Sequence, residues 1–264
     1  MSQTRLPQKP APGLDFSISP LGLGTVKLGR NQGVKYPKAF ELPSDQEAKT
    51  LLATARDCGI NLIDTAPAYG HSEERLGQLL QGSRQDWVIV SKAGEEFDGG
   101  QSNFDFRPEH IRYSVERSLR RLKTDYIDMV LLHSDGNDMD AIAQGGLDAL
   151  NELKQAGLIR ASGMSTKTVE GGIAAAQQSD CVMLTYNLQE TAEAKVLDYC
   201  AEHNKTALIK KALASGHIAH HDEKNGVLES MKFVFAHPGS TSAIIGTINP
   251  KHLVENVGNF LHTI

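Results

Sequence analysis

No stretch of this 264-residue chain approaches the ~20 consecutive apolar residues that span a bilayer, so no membrane partner is expected. Basic residues are neither abundant nor clustered: 27 Lys and Arg stand against 32 Asp and Glu, a net charge of −5. That balance argues against binding a phosphate backbone, and no nucleic-acid partner is expected. Cysteine is scarce. Cys58, Cys181 and Cys200 are an odd number, which suits no disulfide framework, and they lie too far apart for a zinc knuckle. They read as small buried thiols in a reducing compartment. The opening MSQTRLPQKPAPG carries no apolar stretch of the signal-peptide kind, so a cytoplasmic protein is the expectation. With 40 % hydrophobic and 22 % charged residues, the chain is neither disordered nor collagen-like.

What the chain does have is alternation. Residues 1–16, with Pro7 to Pro12, read as an extended N-terminal lead-in. Short apolar runs then follow at Leu21–Val26, Asn61–Thr65, Trp87–Ser91, Ile127–His133, Ile159–Ser165, Val182–Asn187, Thr206–Lys210 and Ser242–Gly246. Each is followed by a stretch with helical spacing. Ser44 and Glu47 form a capping box for the first long helix, Ser72 is expected to cap the next, and Pro108 opens another. Eight strand-then-helix units in 264 residues allow 33 residues each, enough for a βα unit. The runs are continuous rather than alternating, as strands buried on both faces should be. No linker divides the chain. A single (β/α)8 TIM barrel over residues 1–264 is predicted. The alternative, an open dinucleotide-binding sheet, wants G-x-G-x-x-G at its first turn, and Gly22-Leu-Gly24-Thr-Val-Lys27 does not complete it.

In such barrels the chemistry sits at the C-terminal ends of the strands. Asp64, Lys92 and His133 end the second, third and fourth runs, and Tyr69 lies in the turn after Asp64. Singly, each is unremarkable: a loop cap, a surface group, a packing ring. Together they make a proton donor poised beside a developing alkoxide. A free phenol titrates near about 10, too high for an efficient acid, and a neighbouring ammonium lowers that value. Asp64 would hold Lys92 charged, and His133 would hydrogen-bond a carbonyl oxygen or relay a proton. A hydride source is missing, and a nicotinamide cofactor is its natural supplier.

These residues resemble the aldo-keto reductases, and the similarity runs from about Ser17 to Phe260. The stretch Gly59-Ile-Asn-Leu-Ile-Asp64-Thr-Ala-Pro-Ala-Tyr69-Gly70 resembles the family's signature around its catalytic Asp and Tyr. Ser91-Lys92 and Leu131-Leu132-His133 match the strands bearing its catalytic Lys and His. The resemblance implies carbonyl reduction with NADP(H), or with NAD(H), bound across the barrel mouth, and Tyr69 as proton donor. It implies a small-molecule carbonyl substrate.

The resemblance also implies cofactor positions. Gly24, Thr25 and Val26, with Asp64, would border the nicotinamide and its ribose. Ser165 and Thr166 stand in the family's Gly-Val-Ser-Asn segment, with Thr166 replacing the Asn. Met183 stands where the family has a carboxamide-binding Gln, and Lys210 where an aromatic often stacks on the ring. Lys210 and Lys211 would face the pyrophosphate, wrapped by Ala212, Leu213 and Gly216. Gly246, Thr247, His252, Glu255 and Asn256 match the adenosine end, though Gly246 and His252 replace a usual Lys and Arg. His217, His220, His221 and Asp222 read as a polar loop, and no metal site is expected. The loops Lys27–Pro43 and Gly94–Arg107, the latter with Phe97, Phe104 and Phe106, are expected to wall an open pocket. Two other readings use the same residues: a slow nicotinamide-binding sensor or channel-associated subunit, and an aldolase with Lys92 as Schiff base.

Overall fold

The computed structural model describes residues 5–34, 39–213 and 226–263. Its first strands, β1 (Lys9–Pro10) and β2 (Ser17–Ile18), pair antiparallel. The barrel strands begin with β3 (Leu21–Gly24), β4 (Leu62–Asp64) and β5 (Val88–Ala93). A second hairpin follows, β6 (Glu95–Asp98) and β7 (Gln101–Phe104). Then come β8 (Ile127–His133), β9 (Ile159–Ser165), β10 (Cys181–Thr185), β11 (Thr206–Lys210) and β12 (Ser242–Ile245). Among the described residues, β3, β4, β5, β8, β9, β10, β11 and β12 are parallel and close into a barrel, β12 pairing back onto β3. The helices are α1 (Val26–Gly29), α2 (Asp45–Asp57), α3 (Ser72–Leu79), α4 (Pro108–Leu122), α5 (Asp138–Ala143), α6 (Gly146–Gln155), α7 (Val169–Gln178), α8 (Ala194–Glu202), α9 (Gly226–Ala236) and α10 (Pro250–Leu261). The fold is a (β/α)8 barrel. Among the described residues, no helix is long and apolar enough to cross a membrane.

Side chains alternate across a strand, so each barrel strand divides between two cores. Leu23, Ile63, Ile89, Val130, Leu132, Val182, Leu184 and Ile209 face the helices in the larger cluster. Leu62, Val88, Val90, Met129, Leu131, Ala161, Cys181, Met183 and Leu208 fill the barrel interior. Continuing the inward series by two residues reaches Asp64 from Leu62, Lys92 from Val90, His133 from Leu131, Ser165 from Ala161 by two steps, and Lys210 from Leu208. The period of two that packs the interior therefore lays these polar residues on the C-terminal rim.

Residues 9–18 are not the extended lead-in their prolines suggest. They fold back as the β1/β2 hairpin, whose Ala11 and Ile18 are 2 % exposed and belong to the barrel-interior cluster. The hairpin closes the N-terminal end of the barrel because that ring of apolar side chains needs a cover. The capping box forms as expected: Ser44 N–H donates to Glu47 at 2.7 Å, and the Ser44 hydroxyl accepts from Glu47 N–H. Ser72 is a different matter. His71 holds the N-cap position of α3, and Ser72 is fully buried, donating to Thr25 O at 3.0 Å and accepting from Thr65 at 3.1 Å. The three cysteines are separate buried thiols.

Candidate active site at the barrel mouth

The ends of β3 and β4 are tied before any chemistry is placed on them. The Thr25 hydroxyl donates to Asp64 O at 2.8 Å and lies 2.8 Å from Ser72 Oγ, and Thr25 N–H donates to the same carbonyl at 2.9 Å. The following 3₁₀ turn, Pro67–Tyr69, is held against the end of α1 by a contact between two backbones. A Cβ on Gly29 would come within 2.2 Å of Tyr69 O, and one on Gly70 within 2.2 Å of Gly29 O. Gly70 also has φ of +61°, a conformation glycine adopts at little cost. Two glycines thus fix the height of Tyr69 above the rim.

On that frame Asp64, Tyr69, Lys92 and His133 come together. Lys92, 1 % exposed, donates a short hydrogen bond to Asp64 Oδ1 and a second, 2.9 Å bond to Thr65 O. Its Nζ lies 4.7 Å from the centroid of the Tyr69 ring, and the Tyr69 hydroxyl is 3.5 Å from Asp64 Oδ2. The His133 ring meets Tyr69 edge to face, centroids 6.4 Å apart. On the helix side of β5, the Ser91 hydroxyl donates to buried Glu73 at 2.7 Å and so anchors the strand carrying Lys92 to α3.

The structure adds a residue that the strand-end pattern does not point to. Glu95, on β6, brings Oε2 within 2.8 Å of His133 Nδ1, and its other oxygen accepts from Ser102 at 2.6 Å. Burial alone would raise its carboxyl. The His133 ring, Ser102 and Arg30 outweigh burial and hold it at about 2. Because that value lies below the ordinary 4.5, the interaction stabilises the fold above about pH 4.5, and this stabilisation is lost as the pH falls toward 2. For His133 burial is the larger influence and pushes the imidazole down, against the pull of Glu95. Beyond Glu95, the Arg30 guanidinium lies 3.3 Å over the Phe97 ring and donates to Ala68 O at 3.0 Å. The segment expected as an aromatic loop is therefore a hairpin folded over the mouth. Of its phenylalanines, Phe97 stacks under Arg30, Phe104 is exposed, and Phe106 is 3 % exposed in the core.

A second polar group spans the ends of β9 to β11, beside His133. Lys210 donates to Ser165 Oγ at 2.9 Å and to Thr166 O at 2.6 Å. The Thr166 hydroxyl is turned to Glu193 at 3.3 Å, and Glu193 also accepts from Thr185 N–H at 3.0 Å. Met183 stays in the barrel interior, 2 % exposed. Gly24 borders the rim without a side chain: a Cβ there would meet Ile244 at 3.0 Å. Val26 begins α1. Lys211 is exposed, 3.9 Å from Glu190, with Ala212 buried and Leu213 half-buried after it. Gly216 and the His217–Asp222 segment lie outside the described residues. At the start of α10, Thr247 Oγ1 accepts from Asn249 N–H at 3.1 Å, and Asn249 caps Lys251 N–H at 3.0 Å. Gly246, His252 and Glu255 are exposed there and Asn256 is half-buried. Among the described residues, no three His, Cys, Asp or Glu are grouped to hold a metal.

This donor set fits a phosphate-bearing dinucleotide: a rim lacking a side chain at Gly24, two adjacent lysines, and a helix N-terminus at α10. The Aldo/keto reductase family model matches residues 20–232. D-threo-aldose 1-dehydrogenase of a Pseudomonas species is 30 % identical over 85 % of this chain and 74 % of its own length. The NADH-specific methylglyoxal reductase of Escherichia coli is 32 % identical over 76 % of this chain and 66 % of its own. A solved Pseudomonas aeruginosa structure, named as a candidate aldo-keto reductase, is 55 % identical with a TM-score of 0.90, covering 100 % of this chain and 98 % of that one. The chain belongs to the aldo/keto reductase family, and it is an NAD(P)H-dependent oxidoreductase.

Proposed function

We propose that this protein reduces aldehydes or ketones to alcohols with NADPH, with Tyr69 as the proton donor. The observation that carries this reading is the convergence of Asp64, Tyr69, Lys92 and His133 on one rim. A bound nicotinamide supplies the hydride, which no side chain provides. Gly24, Thr25, Val26, Asp64, Ser165 and Thr166 would border the ring and its ribose. Lys211, Ala212, Leu213 and Gly216 would lie nearer the pyrophosphate, with Lys210 between it and the ring beside Ser165 and Thr166, and Gly246, Thr247, His252, Glu255 and Asn256 would hold the adenosine end. A carbonyl oxygen received between the Tyr69 hydroxyl and the His133 ring takes the phenolic proton as charge develops on it. The Lys92 ammonium beneath the Tyr69 ring stabilises the negative charge left on the phenol oxygen, and Asp64 keeps that ammonium in place. The family relatives act on aldoses and methylglyoxal by name, so small hydroxylated aldehydes are the first substrates to test. Three buried, unpaired thiols suit a reducing compartment and a cytoplasmic location.

The direct test is NADPH oxidation across a panel of aldehydes and ketones. Tight cofactor binding with no turnover of any carbonyl would instead favour the slow sensor.

Glu95 provides a sharper check on His133. Glu95→Gln removes the carboxylate that favours the charged imidazole, so the His133 titration should move to lower pH, by about one unit or more. The ring signal of His133 can be followed by NMR against pH. An unchanged midpoint would separate Glu95 from the histidine.

Cofactor choice is the remaining point. A 2′-phosphate is best held by an Arg fork or a Lys point charge. Gly246 supplies neither, and His252 offers only an imidazole there. Lys251 and the start of α10 still favour the phosphate. The expected preference for NADPH over NADH is about ten- to a hundred-fold, or ~1.4–2.8 kcal/mol. Dissociation constants for both cofactors, measured side by side, decide it. Equal affinities, or the NADH preference named for the Escherichia coli relative, would overturn the assignment.

A further inference from the structure

Lys210 sits on the same inward-facing layer as Asp64, Lys92 and His133, yet it plays no part in moving the proton. Its strand, β11, is separated from β9 by β10, and its amino group reaches across the end of β10 to Ser165 and Thr166 on the far side. The ammonium therefore lies on the rim of the mouth, over the end of β10. Ser165 is in register with His133 on the neighbouring strand, which places this cation on the side of the mouth next to the imidazole. Two of its three hydrogens go to Ser165 and Thr166, and among the described residues no acceptor takes the third.

A hydride donor must approach within roughly 3–3.5 Å of a carbonyl carbon held at Tyr69 and His133. Glu95 stands against the His133 ring from the β6/β7 hairpin, and Ser165 with Lys210 lines the neighbouring strand ends, a flank from which the donor can approach. The two redox forms of a nicotinamide cofactor differ at this point by one positive charge on the ring: the oxidised ring is a cation and the reduced ring is neutral. We propose that Lys210 sets the redox preference of the cofactor site, its ammonium disfavouring the oxidised ring while leaving the reduced ring unaffected. On this proposal, which rests on the carbonyl-reductase reading above, the enzyme fills with NADPH and sheds NADP⁺ after each turnover.

Several charges surround the amine. Glu193 favours its charged form, as does the more distant Asp138, whereas Lys167 and Lys211 oppose it, and it in turn disfavours protonation of His133. Burial is the largest influence, and the amine titrates at about 8. Charge is therefore present at neutral pH and is lost as the pH rises through 8, which gives the proposal a signature that simple packing would not produce.

The test is the ratio of dissociation constants for NADP⁺ and NADPH, measured by calorimetry at pH 6.5 and pH 9. The variants are Lys210→Met, without the charge, and Lys210→Arg, which keeps it at both pH values. The wild-type ratio at pH 6.5 should exceed that of Lys210→Met by about tenfold, the scale of one partly screened charge repulsion, and should shrink toward it at pH 9. Lys210→Arg should hold the high ratio at both. A ratio unchanged by Lys210→Met, or a loss of affinity equal for both redox forms, would overturn the proposal and assign the lysine to a phosphate. Failure of the wild-type protein to bind either form would instead sink the carbonyl-reductase reading.

Discussion

Replacing Tyr69 with phenylalanine is expected to cut carbonyl reduction by at least about 10²-fold, the usual scale for losing a general acid. The substitution keeps the ring, so the edge contact with His133 and the position over Lys92 persist. The turn itself is held by the Gly29–Gly70 backbone contact and the Thr25–Ser72 hydroxyl pair, none of which involves the phenol oxygen. Cofactor affinity should therefore remain close to wild type. Steady-state rates with a reactive aldehyde, measured beside the NADPH dissociation constant, distinguish loss of the proton donor from collapse of the site. Near-normal turnover would remove Tyr69 from the mechanism.

Lys92→Met should be as severe in rate and should also weaken the fold. Methionine matches the length of the side chain but leaves Asp64, 4 % exposed, without its cation. Stripping one partner from a buried pair costs on the order of 3–5 kcal/mol, because the remaining charge has lost both water and counter-ion. Adding Asp64→Asn to the same chain should restore much of the stability without restoring activity. Denaturant unfolding of the single and double variants, with rates measured alongside, tests both halves. A Lys92→Met protein of wild-type stability would mean that Asp64 finds another partner, and one of wild-type rate would show that Tyr69 works without the ammonium.

The residues proposed for catalysis were legible in the sequence for a simple reason. Asp64, Lys92 and His133 each end an apolar run, and a barrel turns the ends of such runs into neighbours. Glu95 was not legible in this way. Its segment is polar, and its approach to His133 exists only because β6 and β7 fold over the mouth. The Gly99-Gly100 pair between two four-residue segments was the available hairpin signal. Phe106 misleads for a related reason: it looks like pocket wall in a loop, but the chain returning from the hairpin tucks it into the core. The position of Lys210 at a strand end was readable. Its reach across β10 to Ser165 was not, because that depends on side-chain direction and on acceptors two strands away.

The hairpin that closes the far end of the barrel has a consequence for how the chain is assembled. Its loop is fastened by residues encoded much later: Thr206 donates to Pro12 O across 194 positions at 2.7 Å, and Arg160 pairs with Asp15 across 145 at 3.0 Å. During synthesis the hairpin can meet β4 early, through the bond from Asn61 to Ser17 O at 2.9 Å, but its loop lacks these two ties until Thr206 has followed. Contacts of such separation carry the full entropy of closing a long loop before they return any energy, and they make folding slow. The loop of the hairpin is then a late-setting seal, its last ties made when strands from the second half have joined the ring, so that their formation reports a completed cylinder.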